Sequence, residues 1–195
     1  MARFLLLRHV HTPRDKEGKQ EIITAWHDAK PDALGRREAA ALAAKLKGEP
    51  VAHVISSDLT RALTLAHAIA QATGAEVVPS FYFRPWNIKP LVGRSLAQAE
   101  PIINNYVKHP ALVMPGGESF NAYDKRWHDG FELALQAAAE DPEHLLVGVT
   151  HSTNFKDLHH IATDGKLPYG RNIPEVGHGW MFTLGDDEWS AEDWN

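Results

Sequence analysis

Phe4-Leu5-Leu6-Leu7 runs without a polar break into Arg8-His9-Val10-His11-Thr12. An apolar run this short, bounded by polar residues, suits a strand buried on both faces, as in a parallel sheet. The Arg-His pair then falls at the carboxyl end of that strand, where open α/β sheets place their ligand crevice. A guanidinium there grips an anion in a bidentate way, and an imidazole attacks it or donates to it. The plain alternative is a surface pair that merely ends a strand.

The rest of the chain repeats the theme. Ala39, Leu42, Ala43 and Leu46 recur at helical spacing within Arg36 to Lys47, and Gly48 and Pro50 end that helix. Val51 to Ser56 reads as a second strand. Ser56-Ser57-Asp58 supplies N-cap residues for a helix from Leu59 to Ala72. Arg61 falls in its first turn, where the helix end is already positive and prefers an anion. Pairing with Asp58 three residues back is the local alternative. Ala75 to Val78 is a third strand. Residues 79–115 break the pattern with aromatics, Pro85, Pro90 and Gly93. They are expected to form an insertion across the crevice, with a short helix near Leu96 to Tyr106. Trp26, Phe81, Tyr82, Phe83 and Trp86 read as a small core under it, or as a wall for a planar leaving group.

The Gly116-Gly117-Glu118-Ser119 turn opens a helix whose apolar stripe is Phe120, Tyr123, Trp127, Phe131, Leu135 and Ala138. Residues 144–150 form a core strand that delivers His151 and Ser152 at its carboxyl end. A helix over Asn154 to Thr163, a loop over 165–174, a strand over Trp180 to Leu184 and an irregular acidic tail complete the chain. Alternating strands and helices predict a three-layer α/β/α sandwich with a mostly parallel central sheet, in a single domain over 1–195.

A net charge of -5 argues against a non-specific nucleic-acid binder. The absence of cysteine excludes disulfides, thiolate metal sites and a Cys nucleophile. No signal peptide or apolar run of membrane-spanning length is evident, so the expected location is the cytoplasm. Two strand ends and one helix start then offer Arg8 with His9, His151, and Arg61. Two arginines can hold the oxygens of a phosphoryl group, one imidazole can attack phosphorus, and the other can donate to the equatorial oxygens. With the arginines in that role no metal or cofactor is required. The partner expected is a small phosphorylated substrate.

On these residues the chain resembles the histidine phosphatase superfamily, the phosphoglycerate mutase-like group. The family's Arg-His-Gly-x-Thr signature is met by Arg8-His9-Val10-His11-Thr12. Its Ser-Ser-x-Leu-x-Arg-Ala signature is met without a break by Ser56 to Ala62, and its apolar strand ending in His by Val147 to His151. The Gly-Gly-Glu-Ser turn and Leu34-Gly35 with Glu38-Ala39 are also similar. The resemblance implies a phosphomonoesterase acting through phosphohistidine at His9. Arg8, Arg61 and His151 would complete the phosphate pocket, and Thr12, Ser57, Asp58 and Ser152 would serve binding.

Two positions depart from the family pattern. Val10 replaces a glycine. The segment that normally holds an acidic proton donor has no carboxylate from Phe81 to Gln98, and Pro85 aligns with the donor. Asp15, Asp58, Glu118 and His11 are the replacements to consider. Losing the acid opens a rival reading, a phosphate-ligand-binding protein with weak or no turnover. A phosphoglycerate mutase-type phosphotransferase is a further alternative. A metal-dependent hydrolase is disfavoured: His159-His160 point to different faces, there is no His-Glu-x-x-His, and the remaining histidines, His128 included, read as surface or packing residues. The Walker A pattern is absent.

Overall fold

A computed structural model describes residues 1–16, 20–162, 173–186 and 188–194. The first strand, β1 (Arg3–Arg8), alternates as its composition demands. Phe4 and Leu6 face one hydrophobic core, Leu5 and Leu7 the other, and all four are fully buried. α1 (Ala33–Lys45) is capped by Asp32, whose carboxylate accepts from the Gly35 N–H. It starts earlier than the alanine periodicity suggests. A Cβ at Gly35 would fall 2.1 Å from the His11 carbonyl oxygen, so only glycine lets α1 approach the loop after β1 this closely.

β2 (Val51–Ser57) and α2 (Thr60–Thr73) follow. The capping expected from Ser56-Ser57-Asp58 does not form. Both serines belong to β2, the Ser57 hydroxyl is bound to His151, and the Asp58 carboxylate is bound to Arg84. The end of α2 is served instead by Asp28, whose carboxylate accepts from the Thr60 N–H at 2.7 Å and the Thr60 hydroxyl at 2.6 Å.

β3 (Glu76–Ser80) precedes the irregular excursion, which holds two short 3-10 turns and α3 (Leu96–Lys108). α4 (Phe120–Glu140) buries the expected stripe except Leu135, which is only partly covered while Ala134 is buried beside it, and Asp141 ends the helix. β4 (Leu145–Thr150) leads into α5 (Ser152–Ala162) and then β5 (Gly179–Gly185). The loop expected over 165–174 lies, up to residue 172, outside the described residues, as do residue 163 and the side chains of His159 and His160.

The acidic tail is not irregular. It forms β6 (Glu188–Trp194), antiparallel to β5. Its charges suit an edge strand, while Trp189 and Trp194, five residues apart, face opposite cores. The sheet order is β3-β2-β4-β1-β5-β6. The first four strands are mutually parallel and the last two are antiparallel additions. α1 and α2 cover one face; α3, α4, α5 and the excursion cover the other. Among the described residues no helix is long and apolar enough to cross a membrane.

Candidate active site

β1, β4 and β2 lie side by side, so their carboxyl ends bring His9, His151 and Ser57 together. The His9 N–H donates to the Thr150 carbonyl at 2.9 Å, which ties the first loop to the end of β4. The two imidazole rings lie 5.0 Å apart between centroids. Arg8, His9, Arg61 and His151 are all buried, each 6% exposed or less.

His9 Nδ1 lies 2.9 Å from the Val10 carbonyl. A carbonyl only accepts, so Nδ1 carries the proton and Nε2 keeps the lone pair. Burial, reinforced by the Arg61 charge, pulls the His9 pKa down to about 3. The ring is therefore neutral across the physiological range, with the Nε2 lone pair free to act. Val10 fits this loop without strain. It is fully buried in the core beneath α1 and α2, and Ala25 is the one non-glycine residue with positive φ (44°) among those described.

His151 Nε2 lies 2.8 Å from the Ser57 hydroxyl. That oxygen also accepts from the Leu59 N–H; with the Ser57 hydroxyl hydrogen turned to Nε2, the His151 proton sits on Nδ1. Among the described residues that Nδ1 has no acceptor, and neither do the buried Nε atoms of Arg8 and Arg61. Three buried donors without acceptors beside one nucleophilic nitrogen describe a place for an anion. Burial lowers the pKa of Arg61 to about 10, which leaves it charged at neutral pH.

The cradle for Arg61 comes from a segment with no evident periodicity in sequence. Arg61 donates to the Ala25 carbonyl at 2.9 Å and the His27 carbonyl at 3.1 Å. Trp26 Nε1 donates to the Pro85 carbonyl at 2.8 Å. With Asp28 on α2, residues 25–28 thus form a strap between α2 and the excursion. The aromatics divide: Phe83 and Trp86 are core, while Phe81 packs edge-on against Trp26 and the Arg84 guanidinium lies 4.8 Å over the Trp26 ring.

Of the expected binding residues, Ser152 lines the cleft beside His9, Arg61 and His151. Ser57 orients His151. Thr12 serves the loop: its N–H and hydroxyl both donate to Asp15 Oδ2, at 2.8 and 2.7 Å. Asp58 is held away from the cleft by Arg84, at 2.6 and 2.7 Å.

The candidate acids separate in the same way. Glu118 is held by Arg126 at 2.8 Å, and His11 bridges Asp32 and the Asp15 carbonyl. Among the described residues three carboxylates line the cleft, Asp15, Glu21 and Glu100, and Pro85 lines it too. Asp15 and Glu21 lie 3.3 and 3.2 Å from Arg8 Nη2. Burial opposes ionisation of Asp15, but His9, Arg8 and the Thr12 hydrogen bonds outweigh it and hold the carboxyl below its ordinary range. Lys156 also lines the cleft. Burial lowers its pKa, and Glu21 and Glu100 oppose that shift. Glu21, Glu100 and Lys156 belong to no motif in the chain. For Glu100 and Lys156 the sole signal is helical spacing on the cleft side, with Leu96, Glu100, Ile103 and Asn104 on α3 and Ser152, Thr153 and Lys156 on α5; Glu21, in an irregular stretch, has none.

Several known proteins are similar to this chain. The probable phosphoglycerate mutase GpmB of Yersinia pestis is 26% identical over 144 residues, 71% of this chain. The chain spans 66% of the length of that relative, just under two thirds. Mycobacterial glucosyl-3-phosphoglycerate phosphatase, solved in complex with VO3, superposes with a TM-score of 0.76 at 22% identity, covering 100% of this chain and 99% of that one. A phosphoglycerate mutase from Bacillus anthracis gives 0.75 at 16% identity, over 99% and 92%. These structures share the phosphoglycerate mutase-like fold. The family profile of the histidine phosphatase superfamily (branch 1) matches residues 4–195, and on that match the chain belongs to this superfamily.

Proposed function

We propose that this chain is a phosphomonoesterase that works through a phosphohistidine at His9. The three buried donors without acceptors around His9 carry the reading. A phosphate monoester supplies the oxygens that Arg8, Arg61 and His151 lack. His9 Nε2 attacks phosphorus as the bond to the leaving oxygen breaks. The guanidinium charges and the His151 proton meet the negative charge on the equatorial oxygens. Water then attacks phospho-His9, releasing phosphate and restoring the free imidazole.

Pro85 on the cleft wall favours a second reading, a phosphate-ligand-binding protein with slow turnover, because no proton comes from that position. The mutase alternative rests on the names of relatives and needs the cleft to retain its phosphoryl group while the substrate turns.

The test is hydrolysis of an aryl phosphate and an alkyl phosphate in chelator, for the wild type and His9→Ala. Turnover of the aryl ester that disappears in His9→Ala is the expected result. Phosphate binding without turnover of either ester would replace the phosphatase by the binding protein. Full activity in His9→Ala would remove His9 as nucleophile.

A further inference from the structure

Away from the cleft, α4 and α5 meet at three side chains that the phosphoryl chemistry does not use. Asp124 and His128 are four residues apart on α4 and share a face. Asp157 faces them from α5. His128 Nε2 lies 3.0 Å from Asp157 Oδ2 and 3.6 Å from Asp124 Oδ1. One ligand atom from each residue lies within 4.8 Å of the others. Donors around a tetrahedral ion with bonds of about 2.0 Å sit about 3.3 Å apart, so the spacing suits one ion with three protein ligands and an open position for water.

The second observation is at Asp157. Its side chain is 1% exposed, and its Oδ1 has no hydrogen-bond partner among the described residues. An imidazole–aspartate pair accounts for Oδ2 and leaves Oδ1 buried and unsatisfied, a costly arrangement for a carboxylate. A cation shared by Asp157, His128 and Asp124 removes that cost. His128 and Asp124 are 23% and 39% exposed, which opens a path from solvent.

We infer that Asp124, His128 and Asp157 form a site for a divalent transition-metal ion bridging α4 and α5. Imidazole with carboxylates suits zinc and its neighbours in the first row. The ion has no part in phosphoryl transfer, since none of the three residues lines the cleft. It braces the helix that follows His151 and carries Ser152 and Lys156 into that cleft.

The test uses the full chain, stripped with chelator, in buffer free of phosphate. Zinc is titrated by calorimetry and cobalt(II) by its visible absorption. One equivalent of zinc is expected, with the cobalt spectrum of a low-symmetry four-coordinate site. Asp124→Asn leaves the buried His128–Asp157 contact in place and should weaken zinc at least tenfold, as should His128→Gln. His9→Gln should leave affinity unchanged. No saturable binding below millimolar zinc overturns the site. Binding that survives His128→Gln and disappears in His9→Gln also overturns it, placing the ion on the catalytic histidines.

Discussion

If the chain cleaves phosphate esters as proposed, Pro85 has no proton to give, so protonation of a leaving alkoxide would fall to a carboxylate elsewhere on the cleft wall. Asp15 and Glu21 are bound to Arg8, and Asp15 is held ionised. Glu100 enters from α3, on the side of the excursion. Glu100 shares the excursion with Pro85, and on that placement Glu100→Gln should slow an alkyl phosphate by about 100- to 10,000-fold and leave a good aryl leaving group within a few-fold. Steady-state turnover of both esters checks this. The same selective loss in Asp15→Asn, with none in Glu100→Gln, would move the acid to the first loop. Arg8, His9, Arg61 and His151 were legible because each closes a short run of its own: an apolar strand, or a strand-to-helix step. Glu100, Glu21 and Lys156 were not, because each sits in an ordinary amphipathic or irregular stretch and only the tertiary fold turns it towards the cleft.

At the scale of elements, the wall around Pro85 depends on Arg126 of α4. Its guanidinium donates to the carbonyls of Phe81, Tyr82, Arg84 and Pro85 and to the Glu118 carboxylate. Glu118 in turn accepts from the Asn87 N–H at 2.9 Å. One planar fork with several donors can satisfy such a set; an ammonium cannot. Arg126→Ala should lower stability by about 2–4 kcal/mol in denaturant melts, since it strands carbonyls and a half-buried carboxylate. Arg126→Lys should recover less than half of that. Asp28 has a smaller part. Asp28→Ala removes the cap of α2 and should cost about 1 kcal/mol. It should also weaken phosphate binding, because the same strap holds the carbonyls that fix Arg61. Phosphate affinity equal to wild type in Asp28→Ala would show that Ala25 and His27 hold their positions without it. The helices themselves were readable from apolar spacing, but this cap was not. Ser56-Ser57-Asp58 has the right residues in the right place, yet the site and Arg84 claim them, and a distant aspartate takes over.

Over the whole molecule, the parallel core follows from alternating strands and helices, each strand apolar enough to be covered on both sides. The antiparallel end does not. β6 is acidic along most of its length, and its two tryptophans declare a strand only once β5 offers an edge with a core on each face. The cost of building a phosphate site into such a core appears as a pH dependence. His9 has a folded pKa of about 3 against an ordinary value of 6.5, and His151 shifts in the same direction through burial. A base with a depressed folded pKa takes up its proton first in the unfolded chain. Its contribution is fully present above pH 6.5 and declines as pH falls towards the folded value. Between pH 7 and pH 5 His9 alone should remove about 2 kcal/mol. Asp15 enters only below its ordinary carboxyl range. His128, raised by the hydrogen bond it donates to Asp157, has the opposite sign and cancels when two variants are compared. His9→Gln should therefore lose about 2 kcal/mol less than wild type between pH 7 and pH 5, in denaturant melts without phosphate. Phosphate added at pH 7 should stabilise wild type by about 2.7 kcal/mol at one hundred times its dissociation constant and the variant by less. Equal pH slopes for the two proteins would mean that the His9 ring is not desolvated in the free enzyme, and the neutral nucleophile would then need another cause.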